Sequence, residues 1–408
     1  MMNSQKKTAF WIAGFLLAAA SGFGAANGKP DGKSCVKQPC SRPACPSKPC
    51  CEPGPGAPNL MPAYNHPAPV QLVCGWDVWT DASFTYWQAS QDNMEFGISD
   101  SQTQAQIDAV DTIVNGEVIN QKFGFKPGFK IGGGMQYSYD NWDTAVEYTW
   151  FRGTNHKTED APSTEGSEIG FIYPLMGATA LQAASGTFTT PRYSSASSKW
   201  TCNLDLVDAL LGRWYYVGTK LTFHPVVGMR AAFIRQKLSN QYINSSEISS
   251  TDASEIDYVR TYLMQQNLNS WAVGFKTGLD MSWMLGEGIR LYGCGSGDIL
   301  YTRYRQAKTV ESSATTDAGV TTTLPFNNRQ SGLGCLRPHL DLELGFGWST
   351  YLDCNKWYLD CSAGYDFQVF FDQNMFRRYG DEVMVGNSVT AAGNLYLQGL
   401  NIQFALHY

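Results

Sequence analysis

Leu336-Arg-Pro-His-Leu-Asp-Leu-Glu-Leu-Gly-Phe-Gly-Trp-Ser-Thr350 reads as two interleaved sets. Leu336, Pro338, Leu340, Leu342, Leu344, Phe346 and Trp348 form one; Arg337, His339, Asp341, Glu343, Gly345, Gly347 and Ser349 form the other. Successive side chains of a strand point to opposite faces, so extended backbone here is oily on one side and polar on the other. At about 3.3 Å per residue the run is long enough to cross a membrane even when tilted.

The same grammar recurs. Phe129, Ile131 and Met135 oppose Lys130; Val146, Tyr148 and Trp150 oppose Glu147. Leu221, Phe223, Val227 and Met229 oppose Lys220, His224 and Arg230, while Val273, Phe275, Leu279 and Met281 oppose Lys276 and Asp280. Leu359, Ala363 and Tyr365 oppose Asp360. With Arg337, His339, Asp341 and Glu343, these polar-face charges are the candidates to line an aqueous lumen. The chain ends on Leu400, Ile402, Phe404, Leu406 and Tyr408; the last three form a candidate barrel-assembly signal.

Short connections at Asp140-Asn141, Val217–Thr219, Gly286–Gly288 and Asp353–Asn355 alternate with long polar ones at about 90–122, 153–200, 236–267, 306–331 and 373–390. Short periplasmic turns and long external loops belong to outer-membrane barrels. The spacing predicts an all-β, antiparallel transmembrane barrel of ten strands, near 76–88, 123–139, 142–152, 201–216, 220–235, 268–284, 289–305, 334–351, 356–372 and 392–408. Twelve or more strands is the alternative, with a pair hidden in 153–200. A soluble β-sandwich competes, but its strands average ~5–6 residues, shorter than these runs. Aromatics near the short turns (Tyr139, Trp142, Trp214–Tyr216, Trp283 and Trp357) are expected to form an interfacial girdle.

Composition agrees. Charged residues are 16% and aromatics 13%, with 40 glycines and a mean hydropathy of −0.26. Soluble proteins carry ~25% charge. After the first residues no stretch reaches the ~18 apolar residues of a membrane helix. A net charge of −6 argues against nucleic acid as a partner.

Lys6 and Lys7, the apolar run Ala9–Ala20 and the small residues Gly24–Ala26 have the layout of a secretory signal peptide over 1–26. Residues 27–75 form a separate Pro/Cys-rich periplasmic tail: eleven of the 18 prolines lie between Pro30 and Pro69. Proline donates no backbone hydrogen bond, so the tail is expected to be extended. It holds five of the 11 cysteines: Cys35, Cys40, Cys45, Cys50 and Cys51. Export makes disulfides available, within the chain or between chains; no His lies inside the cluster and the spacing is wide for zinc. No metal or cofactor is expected. The barrel is expected over 76–408.

No enzyme is expected either. His339 and Asp341 make a conceivable acid/base pair, but Arg337 and Glu343 share their face, and a polar lumen wall explains all four together. Gly132-Gly133-Gly134 lies within a strand and suits close packing or bending of the wall; Gly293-Cys-Gly-Ser-Gly297 is expected to be flexible or bulged.

Asp81-Ala-Ser-Phe-Thr-Tyr-Trp-Gln88 resembles the opening strand of the chlamydial-type major outer membrane protein family and its Legionella-type pore-forming relatives. Gly124–Gly132 with Trp142–Trp150 is similar to the next strands, and Leu204–Arg213 with Leu221–Arg230 to the central pair. Coverage is the barrel, 76–408. The resemblance implies an outer-membrane porin passing small hydrophilic solutes, held as a homo-oligomer or in a disulfide-linked envelope. The competing function is a structural or adhesin barrel, followed by a barrel hydrolase.

Overall fold

The computed structural model describes Val70, Leu72 and residues 78–103, 105–106, 113–137, 141–163, 168–175, 192–217, 220–244, 258–317, 320–353, 355–379 and 388–408. The signal segment, the tail's five cysteines, Trp76, Tyr139 and Asp140 lie outside them.

Ten antiparallel strands close on themselves: β1 (Val78–Gln91), β2 (Phe125–Gln136), β3 (Trp142–Asp160), β4 (Ser195–Arg213), β5 (Leu221–Asn244), β6 (Tyr258–Gly286), β7 (Ile289–Asp317), β8 (Leu333–Leu352), β9 (Trp357–Phe370) and β10 (Leu395–His407). Each pairs with its neighbours in sequence, and β1 closes on β10 from Trp79↔His407 to Gln91↔Leu395. Closure leaves no unpaired sheet edge, which backbone in lipid could not tolerate.

The expected number of strands is found, but several run further on the long-loop side. β5 has 24 residues, and β6 and β7 have 29 each. About 9–11 tilted residues cross a bilayer, so these strands project far beyond it. The described residues of 153–200 add no further barrel strand between β3 and β4, which pair directly with each other. Glu168–Pro174 instead joins Glu95–Thr103 and Glu117–Asn120 in a separate three-stranded sheet. Val320–Gln330 returns as a hairpin on β7, Arg377–Tyr379 pairs with Ser388–Thr390, and Tyr215–Val217 pairs with the start of β5. Gly293–Gly297 is regular ladder, its three glycines facing outward beside Leu344 and Leu342. The irregularities of the β6–β7 ladder lie between Asn269 and Ser270 and between Met284 and Gly286.

The short turns explain themselves chemically. Gly288 has φ +80°, and a Cβ there would stand 2.2 Å from the Ser349 carbonyl oxygen, so only glycine fits. Asn141 takes φ 56° in another turn, a conformation Asn tolerates because its short side chain bonds locally.

Outward faces are apolar and exposed across the span: Phe275 is 78% exposed, Leu336 66% and Leu344 63%. In water so large a continuous apolar surface would mark an interface; here it is the lipid belt. Trp142, Tyr215, Trp283, Trp348 and Trp357 ring its short-turn end.

Candidate functional site in the lumen

The inward faces divide the lumen into three levels. At the short-turn end is a vestibule of about 280 Å³, lined among others by Trp214, His224, Asp280, Arg290, Asp360 and His407. Arg290 Nη2 donates to Asp360 Oδ1 at 2.7 Å, a second Arg290 nitrogen donating to the other oxygen. His224 places Nε2 2.7 Å from Asp143 and Nδ1 3.1 Å from Asp280. Trp214 stacks on the His224 ring at 4.2 Å, so this expected girdle residue turns into the vestibule instead.

The middle level is a buried ion network. Arg230, 2% exposed, reaches Asp208 at 2.5 Å, Asp298 at 3.2 Å and Asp341 at 3.5 Å. Lys276 reaches Asp208 at 2.8 Å. Lys130 on β2 reaches across to Asp366 on β9 at 3.1 Å, with Glu147, Asp341 and Glu343 close enough to act on its charge. Glu343 accepts from Tyr292 at 2.6 Å and Asn401 at 3.0 Å. Glycines make room for this network. A Cβ on Gly132 would stand 2.5 Å from Asp81, and one on Gly364 would stand 2.4 Å from the Tyr292 hydroxyl. Desolvating so many ions is costly, and only mutual pairing and hydrogen bonding offset it. At this level seven carboxylates (Asp81, Glu147, Asp208, Asp298, Asp341, Glu343, Asp366) face three fixed cations, Lys130, Arg230 and Lys276.

The third level, toward the long loops, is apolar. Trp87 packs its ring 6.0 Å from Phe151, and Tyr242 sits 5.8 Å from Tyr262. Trp200, Leu204, Leu206, Leu238 and Met264 join them in one buried cluster. Segments from the loops cover it: Tyr242 donates to the Phe96 carbonyl, Gln373 donates to Ser270 at 3.1 Å, and Gln266 exchanges hydrogen bonds with the Arg377 backbone at 2.7 and 2.8 Å.

Of the residues expected to line a path, Lys130, Glu147, His224, Arg230, Lys276, Asp280, His339, Asp341, Glu343 and Asp360 lie on inward faces in the first two levels. Arg337 faces inward further out, paired with Asp372 at 3.0 Å. Lys220 stands exposed in the short turn before β5. His339 and Asp341 sit side by side with Arg230 reaching both; the His339 Nδ1 is 2.9 Å from Asp298 and 2.9 Å from Arg230, and the residue is 2% exposed. Phe404 and Leu406 face outward on β10, and the Tyr408 backbone exchanges hydrogen bonds with Val78, closing the barrel seam. Asp208, Asp298 and Asp366 belong to the network, and Arg290 to the vestibule, without being among the residues expected from sequence to line a path. Asp366 was legible by parity with Asp360. Asp208 was not, because in Leu204–Leu211 each face carries apolar residues and a single Asp, Asp205 on one and Asp208 on the other.

A family model described as Legionella pneumophila major outer membrane protein precursor matches residues 71–408. No curated protein matches the chain. Among solved structures, the outer membrane protease OmpT from Escherichia coli is similar at 10% identity and a TM-score of 0.26, covering 81% of this chain and 96% of that one. The toluene transporter TodX of P. putida is similar at 10% identity, TM-score 0.21, covering 82% and 90%. A major outer membrane protein from Thermus thermophilus is similar at 11% identity, TM-score 0.23, covering 80% and 98%.

Proposed function

The chain belongs to the Legionella major outer membrane protein family, and from that premise we propose that it is a narrow, cation-preferring porin for small hydrophilic solutes and ions. The observation that carries this reading is the middle level of the lumen, where a charged band encircles the axis and seven carboxylates stand against three fixed cations. A ring of excess carboxylate favours cations in a narrow path. The vestibule supplies a wet approach from the periplasm.

In the conformation described, Arg230 and its carboxylates meet across the middle level and Trp87 and Phe151 pack above them. Conduction therefore requires these contacts to part. The same packing favours a second reading, a structural or adhesin barrel held as a homo-oligomer or in a disulfide-linked envelope through the tail cysteines. Single-channel recording of refolded protein in a planar bilayer separates the two. The porin reading predicts discrete conductance steps; folded protein that passes no current leaves the structural reading in its place.

A further inference from the structure

Charged residues on the outward face of the barrel are confined to one side. The outward positions of β1, β2, β8, β9 and β10 hold none. On β3–β7 the outward positions form hydrogen-bonded rows. One row, Tyr148-Val207-Ala231-Val273-Tyr301, is wholly uncharged. The next, Trp150-Asp205-Phe233-Trp271-Arg303, is the boundary. Beyond it stand Arg152, Lys199, Arg235, Lys237 and Lys308, with the exposed Arg305 in the bulge of β7. Over this part of β3–β7 Asp205 is the one acid against seven cations among the described residues.

Asp205 is already saturated. It accepts two bonds from Arg152 at 2.7 and 2.9 Å, one from Arg235 at 2.9 Å and one from the Tyr148 hydroxyl at 2.8 Å. Its effect is to hold two guanidinium groups side by side; Arg152 is further pinned over the Trp150 ring at 5.0 Å. Lys199 and Lys237 are exposed and have no ion pair among the described residues. The patch therefore keeps a strong positive excess, and it sits where the apolar belt ends on the long-loop side.

We propose that this face is a docking surface for the phosphorylated glycolipid of the outer leaflet, lipopolysaccharide. Its acyl chains lie on the Val207–Val273 rows and its phosphates on Arg235, Lys237 and Lys199. Charge complementarity selects the phosphates, and the apolar rows directly below select a ligand that carries acyl chains on the same molecule. A free phosphate would use only the upper half of the surface, and lipid in the inner leaflet would not reach it.

The test is binding of purified lipopolysaccharide to the refolded full chain in detergent, read by native mass spectrometry and by the shift in heat-modifiable mobility. Lys199→Gln/Lys237→Gln leaves the Arg235–Asp205 pair intact, and should weaken binding about thirtyfold, the loss expected for two lysines at an anionic surface. Lys220→Gln, at the other end of the barrel, should change nothing. Dephosphorylated lipopolysaccharide and phosphatidylglycerol should bind the wild type weakly, and inorganic phosphate should not compete at concentrations where lipopolysaccharide binds. Equal binding by the double variant, by dephosphorylated glycolipid or by phosphatidylglycerol overturns the proposal, as does displacement by inorganic phosphate. If the double variant does not fold, Lys237→Gln alone should weaken binding about fivefold, and unchanged binding in it overturns the proposal equally.

Discussion

The two halves of β5 follow opposite rules. From Leu221 to Phe233 the outward side chains are apolar, with Val227 and Met229 about half exposed, while His224 and Arg230 face inward. From Ile234 onward, Arg235 and Lys237 face outward, and Leu238 and Tyr242 are buried inside. The backbone alternation is unbroken; only its chemical sense inverts. β4 does the same between Asp208 and Leu206, and β6 between Lys276 and Ala272. The difference locates the edge of the lipid. Within the belt the solvent outside is hydrocarbon and the polar groups turn in; above it the solvent is water and the strands pack like those of a soluble protein.

Four substitutions break or sharpen this contrast. Trp200→Ala removes a side chain that is 0% exposed in the upper cluster, and should cost about 3–5 kcal/mol by denaturant titration; a cost near zero would mean the upper lumen is not a packed core. Asp208→Asn strips a carboxylate from both Arg230 and Lys276. Removing one partner of a buried pair costs about 3–5 kcal/mol, so unfolding should begin at distinctly lower denaturant, and wild-type stability would mean water already solvates these charges. Val227→Arg, 53% exposed in the belt, should cost about 2–4 kcal/mol and deplete the heat-modifiable folded band. Lys237→Leu, on the same face of the same strand but above the belt, should fall within about 0.5 kcal/mol of wild type. If Val227→Arg and Lys237→Leu behave alike, the edge has been put in the wrong place.

That inversion also explains what could be read in the sequence. The stretch from Leu336 to Thr350 lies almost wholly within the belt, so its faces, its strand and its polar residues were all legible. Alternation read from sequence ends β5 near 235, begins β6 near 268 and ends β7 near 305 because the apolar set changes sides there, and a search for one oily face loses the strand. Asp208 was hidden for the same reason: Leu204 and Leu206 are inward in the upper core, while Val207, Ala209 and Leu211 are outward toward lipid, so two apolar sets overlap in one segment. Arg290 was missed because it follows the Gly288 turn directly, where no alternation has yet accumulated. That Arg230 gathers Asp208, Asp298 and Asp341 depends on strand register around the barrel, which no single segment encodes.

The proposed pore stands or falls on the excess of carboxylates around Arg230, Lys276 and Lys130. Its most direct test is the reversal potential of the refolded protein across a salt gradient, for wild type and for Asp341→Asn/Glu343→Gln. The wild type should prefer cations, and the double variant should keep its heat-modifiable fold while moving toward no preference. An anion preference in the wild type, or an identical reversal potential in the variant, would contradict it.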